Sequence, residues 1–97
     1  MKVKSTFRKN HFIFDFFVDS VISIENEEPP AKLATVTTVI QTFDKQLLWS
    51  GRIRVKVNEF GIYPLPEDVN SISGPLSMKK MMLGELRRYI KPQKPFL

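Results

Sequence analysis

Cysteine is absent from this chain of 97 residues, and its absence removes several kinds of chemistry at once. Disulfide bonds, thiolate nucleophiles and all cysteine-ligated zinc and iron–sulfur sites are excluded. Histidine is nearly absent too. The single residue, His11, has no cysteine with which to ligate a metal ion or activate a nucleophile. The sequence therefore predicts no metal site and no cofactor.

Glycine is scarce, and the four glycines are scattered, so no glycine-rich loop exists that could cradle a phosphate. Two carboxylates, Asp15 and Asp19, fall on one face of a predicted strand. Positions four residues apart on a strand are roughly 13 Å apart, which is too far for a paired-carboxylate site. Nucleophile, base and orienting residue do not occur together, so we predict that the protein is not an enzyme.

A long uninterrupted apolar run is also missing. The first sustained apolar stretch, Phe12 to Ile24, is interrupted by two aspartates and two serines. It suits neither a signal-peptide core nor a membrane span, so we expect a cytoplasmic protein without a membrane partner. The length predicts a single domain, residues 1–97, and the 42% of hydrophobic residues, including eight phenylalanines, suffice for one core.

The net charge of +5 is unevenly distributed along the chain. Residues 1–10 form a basic segment without an acid, and residues 77–97 carry six lysines and arginines against Glu85 alone. The segment from Asp15 to Glu28 holds five acidic residues and no basic one. This segregation predicts a polarised surface that attracts a polyanion on one side.

Period-two patterns predict the strands of a sheet. Residues 11–25 predict a first strand whose even positions, from Phe12 to Ile24, form its apolar face. A second strand is predicted over Leu33 to Phe43. In the third strand, residues 47–57, the odd positions from Leu47 are apolar and include Trp49 as a core residue, whereas the even positions from Ser50 onward are polar. Ile62 to Pro66 predicts a short fourth strand that its prolines confine to an edge.

A helix is predicted after a loop over residues 66–76. Ser77 is a favourable N-cap, and apolar residues then follow the three-and-four spacing of one helix face as far as Ile90. Pro92 ends the helix, and residues 91–97 are expected to form a flexible tail. The predicted fold is therefore α+β, with an antiparallel sheet of about four strands followed by one C-terminal α-helix.

Two basic clusters favour nucleic-acid binding. On the third strand, alternate cations stand about 6.5–7 Å apart, comparable to the spacing of phosphates along an extended single strand. On the helix, Lys79 and Lys80 occupy the first turn, where positive charge is unfavourable, which favours a partner. The predicted phosphate contacts are Arg52, Arg54, Lys56, Lys79, Lys80, Arg87 and Arg88. This interpretation requires strand and helix to present their cations on one continuous face. The alternative is that the strand cations serve solubility and edge protection, and that Arg87, Arg88 and Lys91 complement the helix dipole.

Exposed aromatic rings among the cations would strengthen this hypothesis, and Phe17 and Tyr63 are the best placed. The alternative hypothesis is a protein-interaction module, such as a phage- or plasmid-type inhibitor or adaptor. It would use the phenylalanine-rich first strand, pairing edge to edge with itself or a partner, and the acidic segment. The residues assigned to this interface are Phe12, Phe14, Phe17, Asp15 and Asp19. We expect a homodimer.

Three segments carry a family resemblance: Leu33 to Ile40, Leu47 to Val57, and the turn and short strand from Asn58 to Pro66, with a helix after them. In these features the chain resembles the SpoVG family of small bacterial nucleic-acid-binding regulators. The resemblance implies DNA or RNA binding through the helix region, where Lys79, Lys80, Arg87 and Arg88 lie. The phenylalanine-rich first strand and the short segment from Glu67 to Leu76 depart from the family pattern.

Overall fold

Five strands form one antiparallel sheet in a computed structural model that describes residues 4–9 and 11–97. Each strand pairs with its neighbours in sequence, so the order is β1-β2-β3-β4-β5. The strands are β1 (Lys4–Lys9), β2 (Phe12–Ile24), β3 (Ala31–Thr42), β4 (Leu47–Asn58) and β5 (Gly61–Pro64). They are followed by α1 (Pro66–Asn70), α2 (Leu76–Ile90) and a 3₁₀ helix, Lys91–Phe96. The predicted α+β class, an antiparallel sheet with a C-terminal helix, is confirmed.

The additional strand, β1, lies in the segment that the sequence marked only as basic. It pairs with β2 through a register that sets Phe7 opposite Phe14. Phe7 is its one large apolar residue, which is too little to produce a period-two signal. The parts of that basic segment at residues 1–3 and 10 lie outside the described residues.

A bulge in β2 corrects the predicted apolar face of the first strand. From Phe14 to Val18 the even positions are buried, as expected, but Asp19 is an extra residue between the pairs Val18–Val36 and Ser20–Thr35. A bulge shifts the side-chain alternation by one position. Val21 therefore packs against the core, and Ile22, expected on the apolar face, is 59% exposed.

A second irregularity affects the start of β4. The register passes from Ile40–Trp49 to Gln41–Leu47, so Leu48 is the extra residue. Leu47, predicted to face the core, is consequently exposed. From Trp49 onward the alternation is as predicted, and Trp49 itself packs against the core.

The helix α2 covers one face of the sheet, which we call the inner face. Its buried residues pack on the buried side chains of β2, β3 and β4. Tyr89 stacks on Phe16 with ring centroids 5.5 Å apart, and its hydroxyl accepts the backbone N–H of Val18 at 3.0 Å. α2 contacts both edge strands, β1 and β5, so a single helix spans the width of the sheet.

Three local predictions around α2 differ from the structure. The helix begins at Leu76 rather than after Ser77, since the carbonyl of Pro75 already accepts the N–H of Lys79. The predicted loop over residues 66–76 contains α1, which starts with a proline and two acids, residues that suit a first helical turn. The expected flexible tail forms the 3₁₀ helix, in which Gln93 is buried and donates to the carbonyl of Tyr89 at 2.8 Å. None of the helices in the described part of the chain has the length and apolar character needed to cross a membrane.

The Tyr89 hydroxyl provides a test of this packing. Tyr89→Phe keeps the ring but leaves the buried N–H of Val18 without that acceptor, so we expect a loss of about 1–3 kcal/mol in the free energy of unfolding. Urea denaturation followed by circular dichroism measures it. Tyr63→Phe, at an exposed ring, is the control and should change stability little. Equal stability of Tyr89→Phe and the wild type would contradict the role assigned to this hydrogen bond.

Candidate nucleic-acid interface

The cations of β4 lie on the outer face of the sheet, opposite α2, and each is paired with an acid. Arg52 Nε lies 3.2 Å from Asp19 Oδ2, and Lys56 Nζ lies 2.6 Å from Glu27 Oε2. Arg54 pairs with Asp68 of α1. These pairs cancel the charge of the row, so the row presents little net positive field to a polyanion.

The pair of Arg54 and Asp68 is the most complete of these contacts. The guanidinium donates from Nε and Nη2 to the two carboxylate oxygens, both at 2.9 Å, and the backbone N–H of Arg54 donates at 2.8 Å. Glu67 lies 3.5 Å from Nη2. The side-chain hydrogen bond from Arg54 lowers the pKa of Asp68, and the same bond raises the pKa of Arg54. This pair attaches α1 to β4, which is a structural role.

The helix cations do not join the β4 row, so the predicted continuous face is wrong. Along β4, side chains alternate between the two faces of the sheet. Ile53 and Val55 point to the inner face and belong to the core beneath α2, so Arg52, Arg54 and Lys56 must point away from the helix. The seven predicted phosphate contacts therefore fall on opposite sides of the sheet.

A groove lies instead between β5 and the C-terminal half of α2, and we call it the β5–α2 groove. It encloses about 900 Å³. Its lining residues are Phe60, Gly61, Ile62, Tyr63, Arg87, Arg88, Lys91, Lys94 and Pro95. Four of these described residues are cations and none is an acid. Two predicted residues, Arg87 and Arg88, are thus brought together with one of the predicted stacking residues, Tyr63.

The turn between β4 and β5 positions the two aromatic rings of the groove. Asn58 Oδ1 accepts the backbone N–H groups of Phe60 at 2.8 Å and of Gly61 at 3.1 Å, which closes a side-chain-stabilised turn. Phe60 is 73% exposed at this turn, and Tyr63 is 46% exposed. A Cβ at position 61 would lie 2.9 Å from the Tyr63 hydroxyl, so glycine leaves room for that ring.

The four groove cations differ in how firmly they are held. Arg88 donates from Nη1 to Glu85 Oε2 at 3.0 Å, and its guanidinium lies 5.4 Å from the centre of the Phe7 ring. Within residues 4–9 and 11–97, Arg87, Lys91 and Lys94 form no ion pair. These three cations keep their full charge available to an anion. Lys79 and Lys80 lie on the N-terminal half of α2, outside the groove.

The residues assigned to a protein-binding strand do not form such a surface. β2 pairs with β3 on one side and, over residues 12–17, with β1 on the other, so the part of the strand that carries its phenylalanines offers no free edge. Phe14 is fully buried, and Phe12 packs against the core. The predicted edge-to-edge pairing through Phe12, Phe14 and Phe17 is therefore wrong, because β1 covers the edge beside these residues.

The remaining members of that set lie on the outer face. Asp15 accepts a hydrogen bond from Thr6, and Asp19 accepts bonds from Thr37 and Arg52. Phe17 is half-buried and, with Asp15, lines a shallow depression on this face. Across the described residues, no three His, Asp or Glu side chains converge to form a possible metal site.

Sequence reasoning did not assign Phe60, Lys91 or Lys94 to a site. A signal for Phe60 is present in the sequence, since a large apolar residue stands inside the turn Asn58 to Gly61, where burial is not expected. The pairing of β5 with β4, which brings this turn near the helix end, has no comparable local signal.

Comparisons with protein-family models, with curated proteins and with solved structures find no match to this chain.

The Asp68 carboxylate gives a pH-dependent test. Its folded-state pKa lies below the usual 3.8, so its charged form stabilises the fold at neutral pH, and this contribution is lost as the pH falls through the lowered pKa. We expect Asp68→Asn to unfold at lower urea concentration than the wild type at pH 7, with the difference shrinking below about pH 4. Glu67→Gln removes a neighbouring, more exposed charge as a control. A difference of constant size down to about pH 3 would rule out this role.

Proposed function

We propose that the chain binds single-stranded nucleic acid in the β5–α2 groove. The observation that supports this proposal is the combination of four cations and two exposed aromatic rings in one groove whose described lining contains no acid. Phosphates carry negative charge, and Arg87, Lys91 and Lys94 have no acidic partner among the described residues. Bases provide flat faces that stack on rings such as Phe60 and Tyr63.

A single strand suits these groups better than a duplex. Stacking on an exposed ring requires a base that is free of its own stack, as in single strands and loops. The polar side chains of the groove are Arg, Lys and Tyr, without the amide or carboxylate groups that select adenine or cytosine. We therefore expect modest sequence preference and strong dependence on salt.

The resemblance to the SpoVG family agrees in part with this proposal, because it implies binding through the helix region, to which Arg87 and Arg88 belong. An accessory or regulatory role, a homodimer and a cytoplasmic location stay predictions from the sequence. The proposed mode of action is binding without catalysis. Lys79 and Lys80 are not needed for binding in the groove itself.

Fluorescence anisotropy with labelled oligothymidylate, oligouridylate and a duplex measures the proposed binding. Each phosphate neutralised on a single strand contributes about −0.7 to the slope of log affinity against log salt concentration. With three unpaired cations and the partly engaged Arg88, we expect a slope of about −2 to −3. Absence of binding to either single strand at low salt would overturn the proposal. Binding of an acidic polypeptide in preference to both would also overturn it, in favour of a protein partner.

Paired substitutions locate the binding site. Arg87→Gln should weaken binding and reduce the salt slope by about 0.7, whereas Arg52→Gln removes the same charge from the outer face and should leave the slope unchanged.

Phe60→Ala tests the contribution of stacking and should lose about 1–3 kcal/mol of binding free energy with little change in the slope. Its matched control is Phe43→Ala, another exposed phenylalanine, which lies beyond the opposite end of β4. Equal effects of the two phenylalanine variants would place stacking outside the groove.

A further inference from the structure

We infer that a bound strand continues beyond the β5–α2 groove along the solvent-facing side of α2, crossing the helix backbone at Gly84 and ending at Lys80. This inference rests on the proposed function and extends its footprint. It is drawn from Gly84, a glycine that no contact within the described fold requires. Cations surround this glycine on the helix face.

Gly84 lies in the middle of α2 and is exposed. A Cβ built at this position meets no atom within 4 Å, so no neighbouring group of the described chain requires glycine there. The backbone of Gly84 is helical. A positive φ, the conformation that favours glycine, occurs among the described glycines at Gly74 instead. Glycine inside a helix is less stable than alanine because it loses more backbone freedom on folding. A bare helix surface at this point suits the close approach of another molecule.

Cations surround this bare position on the helix surface. Lys80 stands four residues before Gly84, and Arg87 and Arg88 stand three and four residues after it, so all three are its neighbours on the helix. Lys91 follows Arg87 by four residues, a spacing at which like charges repel. The one acid of α2, Glu85, is buried. The exposed side of α2 is therefore positively charged along its length.

The spacing along α2 suits a phosphate chain. Four residues of helix advance about 6 Å, close to the distance between neighbouring phosphates of an extended single strand. From Arg87, which lines the groove, back to Lys80 the helix rises about 10 Å, so the extension adds about one to two phosphates to those in the groove. Lys80 is exposed and, among the described residues, forms no ion pair, so an approaching phosphate can neutralise its charge.

Two lengths of labelled oligothymidylate test the inference on the full chain: one of about four nucleotides, which fills the groove, and one of about ten, which reaches Lys80. Gly84→Ala should raise the melting temperature, because alanine favours the helix. The same variant should weaken binding of the long oligonucleotide about three- to tenfold and leave binding of the short one unchanged. Stability and affinity thus change in opposite directions, so a folding defect does not account for the expected result.

Lys80→Gln provides a second variant. It should reduce the salt slope for the long oligonucleotide by about 0.7 and have no effect on the short one, with Arg52→Gln as the control on the outer face. If Gly84→Ala binds the long oligonucleotide as tightly as the wild type, the extension over the helix is wrong while binding in the groove stands. If the wild type binds neither length, the proposed function itself has failed.

Discussion

Phe16 of β2 and Tyr89 of α2 stack in the centre of the core, and the other features of the molecule depend on the position that this contact gives the helix. With Tyr89 also bonded to the backbone beside the β2 bulge, α2 lies fixed across the inner face. Both sheet edges then reach the helix, and the turn before β5 comes to lie beside its C-terminal half. The groove is a consequence of this packing, since its two walls are distant in sequence.

The same packing separates the cations into two chemical environments. On the outer face, acids from β2, from the following loop and from α1 reach the β4 row and neutralise it. Beside α2, the acid of the helix is buried and engages Arg88, and the described groove lining supplies no other acid. Abundance of lysine and arginine therefore does not distinguish the proposed binding surface from the outer face. What distinguishes the β5–α2 groove is the absence of an acid from its described lining.

Periodicity predicted the elements well because it reports a local property, the alternation of burial along one strand or helix. β4 from Trp49 onward and α2 follow their patterns. β1 was not predicted because a single phenylalanine makes no pattern. The bulges at Asp19 and Leu48 were not predicted because register is set by the pairing between strands. For the site, the alternation that gathers the β4 cations also directs them away from the helix, so the sequence already contained the reason against a shared face. The approach of Phe60 to Arg87 depends on tertiary packing and had no local signal.

The single tryptophan of the chain occupies a useful place in this architecture. Trp49 lies near the start of β4 and the groove lies at its other end, so about 23–30 Å of strand separates Trp49 from the aromatic residues of the groove. Its ring packs on the core and over Gly51. Intrinsic fluorescence of this indole therefore follows the integrity of the hydrophobic interior, whereas a bound oligonucleotide at the distant groove is too far away to quench it by contact. Folding and occupancy can thus be monitored independently in one sample.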